Sequence, residues 1–381
     1  MPMNIIKYII RFVPAFISAL IALVSVFSVN PKMLEEEIAG QLQRISELES
    51  AYASGEIAPV NEADFFNGDL KAELENGIKF NEMRFLATHN SYQTPNTRAT
   101  KKLFSALSDI TFGLVNSEIT EFFSPTLTEQ LNLGIRSLEI DIEVFDRKGE
   151  ISFTCMHSPY FEMTTSCYDF ALAMKEIAMW SDNNPDHLPI TIIIEPKETF
   201  LPMKNMKALD ISYTDDFEKV LYETLGDKLF TPSDMLRDYA SFGEMRAADD
   251  WCKVRDMLGK VIILLHECET TEDYISLDPT IKTQAMFPML REKDIDRDCT
   301  AFILANMPDV LLKNNEKIIY EKKIVARTRA DKFTEITTDR LENAMKSGAQ
   351  IVSTDYPYTN DMKPDDYFVS FENRKTIEIN K

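Results

Sequence analysis

The residues best suited to chemistry are two histidines and four side chains with hard oxygen donors. Each lies at or near the end of an apolar segment typical of a strand. Residues 85–93 join such a segment directly to a histidine, an amide and a hydroxyl. In residues 138–143 carboxylates alternate with apolar side chains, so two acids share one face of a strand. The six residues are His89, Asn90, Glu139, Asp141, His157 and Glu195.

The four oxygen donors predict a site for a hard divalent cation. Asn90 offers a carbonyl oxygen, and the three acids offer carboxylates whose mutual repulsion a cation relieves. Ca²⁺ is favoured over Mg²⁺ because it accepts flexible oxygen coordination from separate strands, whereas Mg²⁺ tends to keep several waters. A Glu-x-Asp pair alone is more often a solvated face. Here the apolar residues around Glu139 and Asp141 indicate that the other face of the strand is buried.

Two histidines beside a hard cation suit cleavage of a phosphodiester. One imidazole can take a proton from the attacking hydroxyl, and the other can give a proton to the leaving oxygen. His89 and His157 are placed for these roles at strand ends. His187 lies in a loop before a strand and is predicted to be structural, as is His266, for which a supporting role at the site is the alternative.

Three cationic residues could meet a phosphate. Lys197 lies two residues beyond Glu195 and points the same way along the strand. Arg327 and Arg329 also alternate, and a guanidinium fork matches phosphate oxygens. The alternative for these two arginines is a surface salt-bridge pair.

Eight apolar segments of the β type recur along the chain, with helical patterns between most of them. Strands that alternate with helices indicate a parallel sheet, and eight repeats indicate closure into a TIM (β/α)₈ barrel, an α/β fold. The turn at residues 146–149 is too short for a helix, so a hairpin there would make the barrel irregular. Active sites of such barrels lie at the carboxyl ends of the strands. The segments are Phe85 and its neighbours, 135–144, 151–155, 190–194, 261–265, 301–304, 324–326 and 350–352.

The composition disfavours one class of function. A formal net charge of -21 repels nucleic-acid phosphates, so we expect no nucleic-acid partner. The sequence indicates no protein partner either. A chain of 381 residues accommodates one barrel of about 250 residues with extensions.

The amino-terminal residues 1–30 are predicted to be a signal peptide or a membrane anchor. Lys7 and Arg11 precede the apolar run 12–29, an order that keeps the start inside and exports the rest. The run is short for a membrane span and long for the apolar core (h-region) of a signal peptide, so both alternatives stand. The predicted location is therefore periplasmic or secreted, or membrane-anchored through residues 12–29.

The remaining chain is predicted to contain one catalytic domain. Residues 31–80 read as a helical extension and linker, with an amphipathic helix at 33–50 that packs on the barrel or stands as a stalk. Residues 81–360 form the barrel. Residues 361–381 are predicted to be a tail that lies across the barrel mouth or extends away from it.

Several motifs together resemble the X-type barrel of phosphatidylinositol-specific phospholipases C, most closely the Ca²⁺-dependent bacterial and fungal branch. The likeness spans roughly residues 80 to 360. The motifs are Thr88-His-Asn-Ser-Tyr92, Glu139-x-Asp141, His157, Glu195, Trp180 with Asn184-Pro185, Gly226-Asp-Lys-Leu-Phe-Thr-Pro232, Trp251 with Leu258-Gly-Lys-Val261, Arg327-Thr-Arg-Ala-Asp331 and Ser353-Thr-Asp-Tyr-Pro357.

This resemblance implies a distorted TIM barrel that cleaves phosphatidylinositol, a phospholipid at a membrane surface, to diacylglycerol and an inositol phosphate. It implies that His89 is the general base on the inositol 2-hydroxyl and that His157 is the general acid for the diacylglycerol oxygen. It also implies that Lys197 and Arg327 contact the substrate. The implied Ca²⁺ ligands are Asn90, Glu139, Asp141 and Glu195.

Three alternatives compete with this interpretation. A glycerophosphodiester phosphodiesterase has a similar barrel and paired acids, but it opens with His-Arg-Gly where this chain has His89-Asn-Ser. A sphingomyelinase-type lyase on the same barrel is a weaker rival. A non-catalytic exported barrel that binds lipid or a partner would be free to lose a histidine or an acid, and none is lost.

Overall fold

The computed structural model describes residues 31–95, 101–102, 105, 123–157, 164–198, 204–332, 336–357 and 366–380. Residues 1–30, which were predicted to be a signal peptide or a membrane anchor, lie outside the described residues. The strands are β1 Met83–Thr88, β2 Ser137–Arg147, β3 Glu150–Cys155, β4 Ile190–Pro196, β5 Met206–Ala208, β6 Val261–Leu265, β7 Phe287–Leu290, β8 Phe302–Leu304, β9 Val325–Arg329, β10 Ile351–Thr354 and β11 Ile377–Ile379.

Eight of these strands form a closed parallel barrel in the order β1-β10-β9-β8-β7-β6-β4-β2, with β2 returning to β1. The predicted TIM-barrel fold is confirmed. The barrel is irregular because β1 and β2, the two strands that close it, pair over a very short stretch. Strands β2 and β4 pair over residues 137–142, whereas β1 and β2 pair only at Ala87 and Ser137.

The residue after the His-Asn pair completes this short pairing of β1 and β2. The Ser91 amide donates to the Glu139 carbonyl oxygen at 2.9 Å, and the Ser91 hydroxyl accepts from the Glu139 amide at 2.8 Å. The hydroxyl therefore occupies the place that a main-chain carbonyl takes in a regular ladder. Asn90 permits the turn because asparagine tolerates a positive φ, which is 45° here.

Two strands differ from the sequence-based prediction of the barrel. Strand β3 pairs antiparallel with β2, so it is the second half of a hairpin outside the barrel. The eighth barrel strand is β7, Phe287–Leu290, which the sequence pattern did not predict. The strand has four residues and contains a proline, a residue that argues against a central strand.

Helices cover the outside of the barrel. Several have the expected amino-terminal caps: Asp169 accepts from the Leu172 amide and Thr337 accepts from the Arg340 amide. They are α1 Pro31–Ser54, α2 Leu70–Asn76, α3 Leu127–Asn132, α4 Phe170–Asn183, α5 Thr214–Leu225, α6 Pro232–Leu236, α7 Phe242–Ala247, α8 Glu269–Leu277, α9 Pro308–Asn315 and α10 Thr338–Lys346.

The strands are buried on both faces. Leu138 and Ile140 on β2 pack outward with Phe170 and Met174 of α4. Ile193 on β4 belongs instead to a cluster with Phe85 and other inward residues. Because β2 pairs Glu139 with Ile193, the acids of β2 lie on the inward face. The core thus aims them into the barrel.

Both extensions contact the barrel. Helix α1 packs on it through the buried side chains of Gln41 and Ile45, so the packed alternative holds over the stalk for this part of the helix. At the other end of the chain, β11 pairs antiparallel with β1, with Ile379 opposite Met83. This part of the predicted tail therefore adds a strand at the amino-terminal half of β1. None of the helices in the described ranges is long and apolar enough to cross a membrane.

His187 is structural, as predicted. It is 1% exposed, its Nε2 lies 2.8 Å from the Ser181 hydroxyl and its Nδ1 lies 2.7 Å from the Leu188 carbonyl oxygen. Burial lowers its pKa from the usual 6.5 to about 4.

This burial predicts a pH-dependent loss of stability. Between pH 6.5 and about 4 the unfolded His187 binds a proton that the folded one refuses, so the free energy of unfolding falls as the pH falls. The loss should total on the order of 3 kcal/mol over this window, at about 1.4 kcal/mol per pH unit. Denaturant unfolding at several pH values measures it. The variant His187→Gln should lack this slope, and an identical slope in both proteins would contradict the prediction.

Candidate active site

Three carboxylates cluster inside the barrel, at the carboxyl end of β4 and on the part of β2 that pairs with it. Glu139 and Asp141 lie on the inward face of β2, and Asp141 is directly opposite Glu195 of β4. One oxygen from each lies within 4.8 Å of the others. Three oxygens at this spacing have a common point within about 2.8 Å of each, close to the Ca²⁺–oxygen distance of about 2.3–2.6 Å, so a small adjustment lets one ion bind all three.

Cationic side chains neutralise part of this cluster. The Lys197 ammonium lies 2.9 Å from Asp141 Oδ2 and 2.7 Å from Glu195 Oε1. The buried Arg327 guanidinium donates to Glu139 Oε2. Residues two positions apart in a strand share a face, as predicted for Glu139 with Asp141 and for Glu195 with Lys197. This alternation brings the acids and the cations together inside the barrel.

The charges shift the pKa values of the acids in different directions. Burial raises the pKa of Asp141, although Lys197 and His157 act against the rise. Burial also opposes ionisation of Glu139, but Arg327 and neighbouring cations outweigh it and lower its pKa to about 2. Asp141 is therefore the acid that gains most from additional positive charge.

Each predicted ligand keeps one oxygen that no lysine or arginine holds. Asn90 Oδ1 and Asp141 Oδ1 are buried and have no hydrogen-bond partner in the described part of the chain. Glu139 Oε1 lies 3.8 Å from His89 Nε2, and Glu195 Oε2 lies 3.9 Å from His266 Nε2. Buried oxygens without partners are costly unless a ligand satisfies them. Two buried oxygens without partners, together with two that face histidine nitrogens, fit Ca²⁺, which takes oxygen ligands.

A second group of residues orients His89. Its Nδ1 lies 2.7 Å from Asp355 Oδ1, and a carboxylate can only accept, so Nδ1 carries the proton. Nε2 is then an acceptor and faces the Arg329 guanidinium at 3.3 Å. Arg329 also donates to Asp355 Oδ2 at 2.9 Å. These contacts turn the Nε2 nitrogen towards the acid cluster, 3.8 Å from Glu139 Oε1.

His157 lies on another side of the cluster. It follows β3, whose last residue Cys155 is opposite Ile142 of β2, one position beyond Asp141. Its charge acts on the Asp141 carboxylate, whereas His89 lies nearest Glu139. The two predicted catalytic histidines therefore approach different acids of one cluster. His266 lies beside Glu195, in agreement with the supporting role.

Asp355 gives a direct test of this arrangement. In Asp355→Asn the side-chain amide can donate to Nδ1, which would move the proton to Nε2 and remove the acceptor. We expect kcat to fall by at least about 10²-fold. Steady-state kinetics measures this, with the exposed Asp339→Asn as a matched control. An unchanged kcat in Asp355→Asn would show that His89 needs no partner.

Sequence reasoning missed several residues that hold the site together. The Tyr92 hydroxyl donates to Asp141 Oδ2 at 2.8 Å. Arg327 also donates to Asn306 Oδ1 and, at 3.1 Å, to the Ser353 hydroxyl. In the sequence, Asp355 stood out only as part of the motif Ser353-Thr-Asp-Tyr-Pro357. That motif was the one available signal, since the sequence does not show which side chains meet.

The fold and the acid cluster define a class of protein, a (β/α)₈-barrel enzyme with a candidate divalent-cation site at the carboxyl ends of its strands. Residues 146–381 match the family described as phosphoinositide phospholipase C, Ca²⁺-dependent. Because the match covers more than half of the chain, the protein belongs to this family. It is a Ca²⁺-dependent phosphodiesterase that acts as a phospholipase C on phosphoinositides.

Solved structures show the same fold. One is the Ca²⁺-dependent phosphoinositol-specific phospholipase C from Pseudomonas sp. in complex with myoinositol, with 16% identity and a TM-score of 0.53 over 82% of this chain and 97% of that one. Another is the Ca²⁺-dependent enzyme from Streptomyces antibioticus, with 16% identity and a TM-score of 0.50 over 73% and 95%. No curated protein sequence matches.

The family match begins at residue 146, near the end of β2. It includes His157 and Glu195 but begins beyond His89 and Asp141. The roles of His89, Asn90, Glu139 and Asp141 therefore rest on the geometry of the site and not on the family match.

Proposed function

We propose that this protein cleaves phosphatidylinositol to diacylglycerol and an inositol phosphate by acid–base catalysis with two histidines. The observation that carries the mechanism is the state of His89. Its Nδ1 proton is held by Asp355, so Nε2 can accept the proton of the inositol 2-hydroxyl. The imidazolium that forms would lie between two carboxylates, Asp355 and Glu139, which stabilise its charge.

In the proposed mechanism His157 is the general acid. It would give a proton to the diacylglycerol oxygen as the bond to phosphorus breaks. Its position near Asp141 supports this role, since a neighbouring carboxylate favours the protonated imidazole.

The proposed Ca²⁺ ligands are Asn90, Glu139, Asp141 and Glu195. Their four available oxygens come from three strands or strand ends, which suits the flexible coordination of Ca²⁺. When bound, Ca²⁺ supplies positive charge for a phosphoryl oxygen and for the attacking hydroxyl.

Lys197 and Arg327 are proposed to act on the substrate in different ways. Lys197 has three N–H donors and uses two on Asp141 and Glu195, so the third can meet a phosphoryl oxygen. Arg327 is 1% exposed and would act through Glu139. Arg329 has a side chain 14% exposed and is the arginine better placed to approach the substrate.

We also propose that the enzyme is exported and works at a membrane surface. The charge order around the apolar run 12–29 supports export, with that run serving as a signal peptide or an anchor. The phospholipid substrate lies in a bilayer, so the enzyme must approach one.

Head-group release tests the proposed reaction. Purified protein with Ca²⁺ should release diacylglycerol and phosphorylated inositol from phosphatidylinositol, and a chelator should stop the release. Product analysis by mass spectrometry measures both. Hydrolysis of glycerophosphodiesters with no product from phosphatidylinositol would instead favour the phosphodiesterase alternative, and release from sphingomyelin would favour the lyase.

A further inference from the structure

Helix α1 has a fixed direction on the barrel. Near its middle, the Gln41 side-chain amide exchanges hydrogen bonds with the main chain of Asp169, the cap of α4, at 2.9 and 3.0 Å. Further along, Glu49 lies 4.0 Å from Lys175. Beyond the end of α1, the amide of Val60 donates to Asn184, the residue that ends α4, at 2.8 Å. Helices α1 and α4 therefore run parallel.

The start of α4 lies on the catalytic side. The amide of Ser166, just before α4, donates to the Tyr92 carbonyl oxygen at 2.7 Å, and the Tyr92 hydroxyl binds Asp141. Arg44 of α1 donates to the Ser166 carbonyl oxygen. The amino-terminal half of α1 is thus on the same side of the barrel as the acid cluster, and its carboxyl-terminal end is on the opposite side.

The first ten residues of α1 precede this contact. Among the side chains described from residue 35 onwards, Gln41 is the first fully buried one, Glu37 and Ile38 are half-buried, and Glu35 and Glu36 are exposed. A Cβ added at Gly40 would meet nothing within 4 Å. At 1.5 Å per residue, residues 31–40 carry the helix about 15 Å past Gln41. The apolar run 12–29 therefore joins the described chain on the catalytic side of the barrel.

We propose that residues 12–29 stay in the mature protein and enter a lipid bilayer, and that α1 holds the barrel with its catalytic side towards that bilayer. This inference rests on the proposed function, because the substrate would be a lipid of the same bilayer. The net charge of -21 makes a tether useful, since an acidic protein is repelled by a surface of anionic phosphoinositides. A tether would offset that repulsion by giving the enzyme a high local concentration at the membrane.

Lipid-depth quenching tests the orientation without using activity. A fluorophore is attached to Phe123→Cys or to Asp186→Cys in the full chain, with Cys268→Ser in both to remove the one half-buried native thiol. Phe123 is 58% exposed and adjoins Ser124, whose amide binds Gln93 beside the site. Asp186 is exposed before the start of β4, at the other end of the barrel. In vesicles with a nitroxide on the lipid head groups, we expect strong quenching at position 123 and little at 186.

Equal quenching, or stronger quenching at 186, would overturn the proposed orientation. A mature protein whose measured mass excludes residues 12–29 would overturn the tether. These outcomes are separate from failure of the proposed function, which would appear as no turnover of a water-soluble, short-chain phosphatidylinositol.

A matched activity comparison completes the test. Ile21→Arg combined with Val24→Arg places two charges in the apolar run of the full chain. We expect activity on vesicles to fall by about 10²-fold, as expected for loss of a tether. Activity on the short-chain soluble substrate should be unchanged, because the barrel is untouched. Equal loss on both substrates, or no loss on vesicles, would contradict the proposal.

Discussion

Replacing His89 by alanine should lower kcat for phosphatidylinositol by about 10²- to 10⁴-fold, the range for loss of one proton transfer. The structure gives a specific reason. The Asp355 carboxylate fixes the proton on Nδ1 and leaves Nε2 as the acceptor for the attacking hydroxyl. His157→Ala should cause a loss of similar size, since it would remove the other proton transfer. Single-turnover kinetics measures the loss of rate in each variant, and thermal unfolding checks that each variant is folded.

A substrate with a better leaving group separates the two roles. If the diacylglycerol alcohol is replaced by a phenol of low pKa, the leaving oxygen no longer needs a proton in the transition state. This substrate should restore much of the rate in His157→Ala but not in His89→Ala. The exposed Asp339→Asn serves as the control variant. Equal rescue of both variants, or full activity in either with the natural lipid, would remove the assigned roles.

Removal of the cation should have the second large effect. We expect a chelator to abolish turnover and added Ca²⁺ to restore it. Asp141→Asn should abolish turnover even in the presence of Ca²⁺. The buried Oδ1 of Asp141 has no partner in the described chain, and burial raises the pKa of this acid, so a bound cation would stabilise its charged form. Loss of this ligand should therefore weaken Ca²⁺ binding strongly.

Thermal unfolding measures this binding without turnover. At a Ca²⁺ concentration 100 times the Kd, the folded enzyme should gain about 2.7 kcal/mol. Asp141→Asn should gain much less, whereas the exposed Glu223→Gln should match the original protein. Equal stabilisation of all three proteins would place the ion elsewhere.

Much of the fold could be predicted because its signals are local. The β2 and β4 segments are apolar and long, and the turn at residues 146–149 correctly indicated the β2–β3 hairpin. Strand β7 could not be predicted, because four residues that include a proline carry little periodic signal. The pairing of β11 with β1 joins residues nearly 300 positions apart (Met83 and Ile379), which no local pattern encodes.

The candidate site divides in the same way. Glu139 and Asp141 could be placed on one face because alternation along a strand is a local rule. The partner of His89 could not be identified, since Asp355 lies 266 residues away in the chain. The sequence also did not show that Arg327 would be buried against Glu139, because burial depends on which side chains line the barrel interior. Its predicted contact with the substrate stays a prediction.

A structure determined with Ca²⁺ and an inositol phosphate bound would test the central claim most directly. We expect one ion at about 2.3–2.6 Å from oxygens of Asn90, Glu139, Asp141 and Glu195. His89 and His157 should then lie on opposite sides of the phosphorus atom. An ion bound away from these four oxygens, or a phosphate that neither histidine approaches, would contradict the account.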